Sequence, residues 1–403
     1  MTTTTPTQSL VTGTDADVAA AGLDSDALAR LQAEIESDIA AKKYDGARII
    51  VARHGVIGLD ATLGYADRTV DRALKPDDIF RILSLTKAFT NALIFRALGE
   101  GKLALNTRVV DVIPEFIGRD RFRANRKDRI NLVHLLTHRA GLVTTPNPVP
   151  DACLGHLDEV IDAICQMDVV SEPGTNLNYA PALNHALLGE IARRVYGADS
   201  FRDLIQEKIF GPLGMTDTRF GAPEAWADRI VPLRASVADD SWLSAEEIES
   251  LNDVIDEDAE MPWVGSISTA TDVFTFAEML RRKGEHNGRH LLAPAILDAA
   301  TTLTTGDMTN DLYAQIAIAQ NWELPPGNFG LGFALSGTGT HPSFFGPFTS
   351  PRTHGNYGAG STLFWIDPER DLTFVCLTAG VMDEADNVVR FQKLSTMAVS
   401  AAI

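Results

Sequence analysis

Strand-like sequence lies towards both ends of this chain, and helix-like sequence fills the middle. Gly46–Arg53 (GARIIVAR) is followed by His54-Gly55 and a second extended run to Tyr65. β-Branched residues either side of a glycine turn read as a hairpin. Near the other end, Thr362–Ile366, the turn Asp367–Arg370 and Leu372–Leu377 read as a second hairpin, and Phe329–Leu335 reads as a further strand. Between them, helical periodicity predicts helices over Ser84–Glu100, Ile130–His138, Ala182–Tyr196, Phe201–Phe210 and Thr271–Lys283. Two more helices flank the strands. Ser25–Ala41 carries Leu28, Leu31, Ile35 and Ile39 on one stripe, and Asp383–Ala402 closes the chain. The economical arrangement is one antiparallel sheet assembled from the two chain ends, flanked by the terminal helices, with a helical domain inserted: an α+β fold. The expected division is a flexible polar leader over 1–22, a discontinuous sheet domain over 23–83 and 310–403, and a mainly helical domain over 84–309. The acidic stretch between Val231 and Glu260 reads as a surface excursion.

Composition narrows the function classes. With 54 acidic against 35 basic residues the formal charge is −19. No basic patch offsets it, so nucleic acid and anionic membrane surfaces are poor partners. Three cysteines, Cys153, Cys165 and Cys376, are too few for a disulfide scaffold and form no C-x-x-C pair. The first residues show no basic or apolar signal region, and no apolar run approaches the ~20 residues of a membrane span. The expectation is a soluble, cytoplasmic protein. The nine histidines suggest no metal constellation. G-x-S-x-G, H-E-x-x-H and P-loop motifs are absent.

Three features carry chemistry. The first is Ser84-Leu85-Thr86-Lys87. A Ser and a Lys three apart on a helix share a face, with Cβ atoms about 5–6 Å apart. Serine needs a base to become a nucleophile, and a lysine amine can serve when burial lowers its pKa. The second is Glu172–Tyr179, a turn that delivers a tyrosine before a helix. A phenol held near a lysine can exchange protons as base or acid. The third is Gly355-Asn356-Tyr357-Gly358-Ala359-Gly360-Ser361, glycines that allow a ligand close to the backbone at a strand.

In this order the three features resemble the serine hydrolases related to class C β-lactamases, penicillin-recognising DD-peptidases and family VIII carboxylesterases. Phe80–Lys87, Leu135–Leu142, Glu172–Thr175, Leu187–Ile191, Pro212–Thr218, Ser268–Asp272 and Trp365–Glu369 look like landmarks of the same family, in the same order. The resemblance implies a β-lactamase/transpeptidase-like fold and an acyl-enzyme reaction without a metal or organic cofactor. It implies Ser84 as nucleophile, Lys87 and Tyr179 sharing the proton transfers, and the backbone N–H groups of Ser84 and Ala359 as the oxyanion hole.

This sequence also departs from that pattern. Lactamases of the group have Tyr-x-Asn where this chain has Tyr179-Ala180-Pro181, and proline offers no donor. Asn184, three residues further on, is expected to take part of that role. The third motif, Lys-Thr-Gly in lactamases, is Asn356-Tyr357-Gly358, with no charge to hold a substrate carboxylate. His354, two residues earlier, either substitutes or supports the loop. Trp263 is the best candidate for a pocket wall, with Phe344, Phe345, Phe348 and Tyr357 as further candidates. The expected function is hydrolysis of a small ester or amide, carboxylesterase-like in preference to peptidase or acyltransferase. A β-lactamase, or a non-catalytic binding protein, is the weaker reading.

Overall fold

The computed structural model describes residues 7–9, 14–118, 124–144, 147–238, 241 and 243–403. Its main sheet is antiparallel, in the order Thr7–Ser9, Val56–Asp67, Gly46–Arg53, Leu372–Ala379, Thr362–Asp367, His354–Gly358, Ala334–Leu335. The two chain ends meet in its middle, where Gly46 faces Ala379 and Arg53 faces Leu372 across eight paired positions. Both central strands are buried on both faces, which is why they read as almost unbroken apolar runs.

Each face has its own core. On one face Leu31, Ile35 and Ile39 of the Ser25–Ala40 helix pack with Phe391 and Leu394 of the Glu384–Ser400 helix over Ile49, Val51, Trp365 and Phe374. Trp365 lies flat on Phe374, with centroids 5.2 Å apart, and its indole N–H donates to Ser395 Oγ at 2.9 Å. On the other face Ile50, Phe364, Ile366 and Val375 meet the Thr86–Gly99 and Ala270–Arg281 helices. The arrangement is the antiparallel sheet between helical layers read from the sequence.

Three expectations change. Residues 1–22 are not uniformly a loose leader. Thr7–Ser9 pair with Ala61–Leu63 at the sheet edge, and Asp15–Ala20 form a helix closed by a Thr14–Asp17 capping box. Residues 1–6 and 10–13 lie outside the described residues. Phe329–Leu335 is a strand only at Ala334–Leu335. Gly332, at φ 81°, turns the chain there, and the Asn91 amide fills the space a Cβ would need, 2.5 Å away. The middle region also holds a four-stranded sheet of Arg219–Phe220, Ser266–Ser268, Ile79–Arg81 and Ile230–Val231. These strands are two or three residues long, too short for alternation to register.

Candidate active site

The site is built on a turn. The Ile79–Arg81 strand leads through Ile82 into a 3₁₀ turn over Leu83–Leu85, and only then does the Thr86–Gly99 helix begin. Ser84 therefore sits on the turn before the helix rather than within its first turn. Leu83 is buried at φ 44°, a left-handed conformation a branched side chain adopts only when its surroundings hold it there. The turn is held from both sides: Ile82 N–H donates to Ser266 O at 3.3 Å, and Ile82 O accepts from Thr362 Oγ1 at 3.0 Å. Gly358 lies against it, so that a Cβ there would stand 2.2 Å from Ile82 O and 3.1 Å from Leu85 N.

The helix that follows is mostly apolar and buried along most of its length, so Lys87 enters the interior with it. Its Nζ lies 2.7 Å from Ser84 Oγ and donates to the Trp263 carbonyl at 3.0 Å. Among the described residues no carboxylate forms an ion pair with it. Burial alone pushes the amine well below the usual lysine value. Tyr179 arrives from the opposite side. The loop before it is pinned by Asn178, whose N–H donates to His138 O at 2.9 Å and whose Nδ2 donates to Leu142 O at 2.8 Å. The Tyr179 hydroxyl donates to Ser84 Oγ at 3.2 Å, and its ring lies 5.4 Å from Lys87 Nζ. Burial raises the phenol above its ordinary value. The two shifts together favour a neutral amine beside an intact phenol, not a phenolate beside an ammonium. A neutral amine at 2.7 Å can take the serine proton, and a phenol at 3.2 Å can deliver one.

These groups open on a cavity of about 200 Å³ with mostly apolar walls. Trp263, Asn356, Tyr357 and Ala359 line it together with Ser84, Lys87 and Tyr179. Phe344 and Phe345 line it too, Phe344 stacked on Tyr357 with centroids 3.9 Å apart. Phe348 does not; it is exposed.

Several sequence expectations are corrected here. His354 does not line the cavity. It lies further along the strand, on the same face as Asn356, beside Phe333 and a separate small hollow, its Nδ1 3.0 Å from Arg352 O, with burial pushing its pKa down to about 4. Asn184 does not reach the cavity either. Its amide lies 2.9 Å from Nδ1 of His138, and the His138 ring packs on Tyr179 with centroids 4.6 Å apart. Gly358 seats the Ser84 turn instead of lining the cavity. The acidic stretch read as a surface excursion supplies a cavity wall. Within it Ala245–Val254 is a helix with a Ser244–Glu247 capping box, and it presents Ile248 and Leu251, with Leu243 before it, to the cavity.

Sequence reasoning missed other lining groups: His138, Asn310, Tyr313 and Glu384. His138 stood in a quoted landmark, and Glu384 follows the helix cap Asp383, but nothing in either local pattern says which way the side chain points. Asn356 Oδ1 and Asn310 Nδ2 are buried without a hydrogen-bond partner. Among the described residues no group of three or more His, Cys, Asp or Glu is placed to hold a metal. Among them, too, no helix is long and apolar enough to cross a membrane.

The family model described as Beta-lactamase matches residues 31–394. Esterase EstB of Burkholderia gladioli is 31% identical over 229 residues, a match covering 53% of this chain and 57% of that protein, little more than half of each. A penicillin-binding protein homologue from Caulobacter crescentus superposes with a TM-score of 0.74 at 25% identity, covering 94% of this chain and 99% of that one. The crystal structure of a family VIII carboxylesterase gives the same TM-score at 21% identity, with the same coverage, a likeness of fold.

Proposed function

We propose, for a chain that belongs to the beta-lactamase family of serine hydrolases, a carboxylesterase-like reaction on small esters through an acyl-enzyme at Ser84. The observation that carries it is the approach of the buried, unpaired Lys87 amine to within 2.7 Å of Ser84 Oγ, with the Tyr179 hydroxyl at 3.2 Å. In this reading Lys87 takes the Ser84 proton as Oγ attacks the ester carbonyl. The backbone N–H groups of Ser84 and Ala359 face the developing oxyanion. Tyr179 gives its proton to the departing alkoxide and recovers one from the Lys87 ammonium. Water, activated by the same pair in reverse, then releases the acid and restores Ser84. An ester is favoured over an amide because its leaving group needs less protonation, and Asn356 offers no charge to anchor a carboxylate. The name of the Burkholderia gladioli relative points the same way. Transfer of the acyl group to an alcohol is the second reading, favoured by the apolar walls around Phe344, Ile248 and Leu251.

The test is turnover of p-nitrophenyl acetate and butyrate by the unmodified protein and by Ser84→Ala. The reading expects hydrolysis that falls by about 10³-fold or more in the variant. An unchanged rate overturns it. Adding a primary alcohol separates the second reading, since ester exchange appears only if an alcohol competes with water.

A further inference from the structure

Glu384 is a carboxylic acid that the proposed reaction does not use. It stands in the first turn of the Glu384–Ser400 helix and lines the same cavity as Ser84, Lys87 and Tyr179. Its Oε2 accepts from the Tyr357 hydroxyl at 2.8 Å. Among the described residues no lysine, arginine or histidine forms an ion pair with it. The titratable groups that bear on it are phenols and an acid, Tyr357, Tyr313, Tyr179 and Asp383, and none of these can neutralise a carboxylate; Lys87, which lines the same cavity, is hydrogen-bonded to Ser84 and Trp263 and forms no ion pair with it. Burial pushes the carboxyl up to about 7, as expected of an acid facing an apolar cavity without a counter-charge. Paired buried acids elsewhere in the chain look different: Glu190 holds Arg193 and Arg194, and Glu278 holds Arg281.

An unpaired carboxylate in a substrate cavity is a selector. It favours a ligand that brings the missing positive charge and disfavours one that brings a second negative charge. We propose that Glu384 is the specificity determinant of this cavity, choosing substrates that carry an ammonium group and rejecting those that carry a carboxylate. The proposal deepens the acyl-enzyme reading, on which it rests, by naming the substrate class: cationic esters. The Tyr357 hydroxyl fixes one carboxylate oxygen, so the other is held in one orientation towards the incoming cation.

Three esters of matched chain length test it: methyl 6-aminohexanoate, methyl hexanoate and monomethyl adipate. Their binding to Ser84→Ala is measured by calorimetry at pH 8, where no turnover is needed. The ammonium ester should bind about tenfold or more tightly than the neutral one, and the adipate most weakly. Adding Glu384→Gln, which keeps an acceptor for Tyr357 but loses the charge, should bring the cation-to-neutral ratio close to one. Equal binding of the ammonium and neutral esters to Ser84→Ala overturns the proposal, as does a ratio unmoved by Glu384→Gln. The first comparison needs no change at 384, so it decides even if that variant fails to fold. Hydrolysis of the three esters by the unmodified protein is read separately. Ordered binding without turnover would overturn the hydrolase reading and leave the cation preference. Turnover with no order among the three would do the reverse.

Discussion

Replacing Gly358 by alanine should disable the site without touching any group that handles a proton. The added Cβ would stand 2.2 Å from the Ile82 carbonyl oxygen and 3.1 Å from the Leu85 nitrogen. Carbon–oxygen contacts of this kind settle at about 3.3–3.6 Å, so strand and turn must separate by roughly 1 Å. Thr362 Oγ1, 2.5 Å from the same Cβ, can rotate away, but Ile82 O and Leu85 N are backbone, so no rotamer change relieves the clash with the turn. Ser84 lies between Ile82 and Leu85, and its distances of 2.7 Å to Lys87 and 3.2 Å to Tyr179 are set by that turn. A misplacement of about 1 Å costs on the order of 10²-fold in rate, and the overpacking itself costs about 1–3 kcal/mol of stability. Gly360→Ala is the control. Its Cβ would meet Arg81 O at 3.2 Å and Leu83 Cγ at 3.3 Å, contacts that yield with a shift of a few tenths of an ångström. The assay is kcat/KM for p-nitrophenyl butyrate beside unfolding in denaturant. The expected order is a loss of about 10²-fold for Gly358→Ala and less than about fivefold for Gly360→Ala. Equal rates in the two variants, with Gly358→Ala as stable as the unmodified protein, would refute the idea that the strand seats the turn.

Tyr179→Phe removes the hydroxyl at 3.2 Å and should lower kcat by about 10²-fold; a near-normal rate on a panel of esters would remove the phenol from the mechanism. Lys87 works as a base only when neutral, and burial lowers its pKa, so kcat/KM should rise with pH and level off well below the ordinary lysine value of 10.5. A rate still climbing past that pH in a stopped-flow profile would contradict this. His354→Ala should leave kcat/KM within about threefold and lower stability by about 2 kcal/mol, because the ring fills space beside Phe333 away from the cavity. A selective loss of rate would put it back in the site.

The sequence made the proposed reacting pair legible because its pattern is local. Ser84 and Lys87 are three residues apart, a spacing that lets the amine reach the hydroxyl, and the order of the other landmarks gave that short motif its meaning. The joining of the chain ends was legible because long, doubly buried strands such as Leu372–Ala379 have a plain signature. The cavity walls were not, because they come from segments far apart in the chain: Leu243–Leu251, Asn310–Tyr313, Phe344 and Glu384. Each contributes only a few side chains to the cavity, and no local pattern shows that separate segments converge on it. The acidic helix Ala245–Val254 hid Ile248 and Leu251 behind its composition, although its capping box stood in the sequence. In the third motif the outcome turned on position along the strand, not on which face a residue occupies. Asn356 reaches the cavity while His354, two residues earlier on the same face, packs on the core beyond it. Glycines that suggested room for a ligand serve the chain itself, with Gly358 admitting the Ser84 turn.

The central claim is a covalent acyl group on Ser84. Intact-mass and peptide mass spectrometry after a brief pulse of p-nitrophenyl butyrate, quenched in acid, reads it directly. The account predicts a butyryl adduct on the peptide containing Ser84, lost on further incubation in buffer and absent from Ser84→Ala. An adduct on another residue, or turnover of the ester with Ser84 never modified, would contradict it.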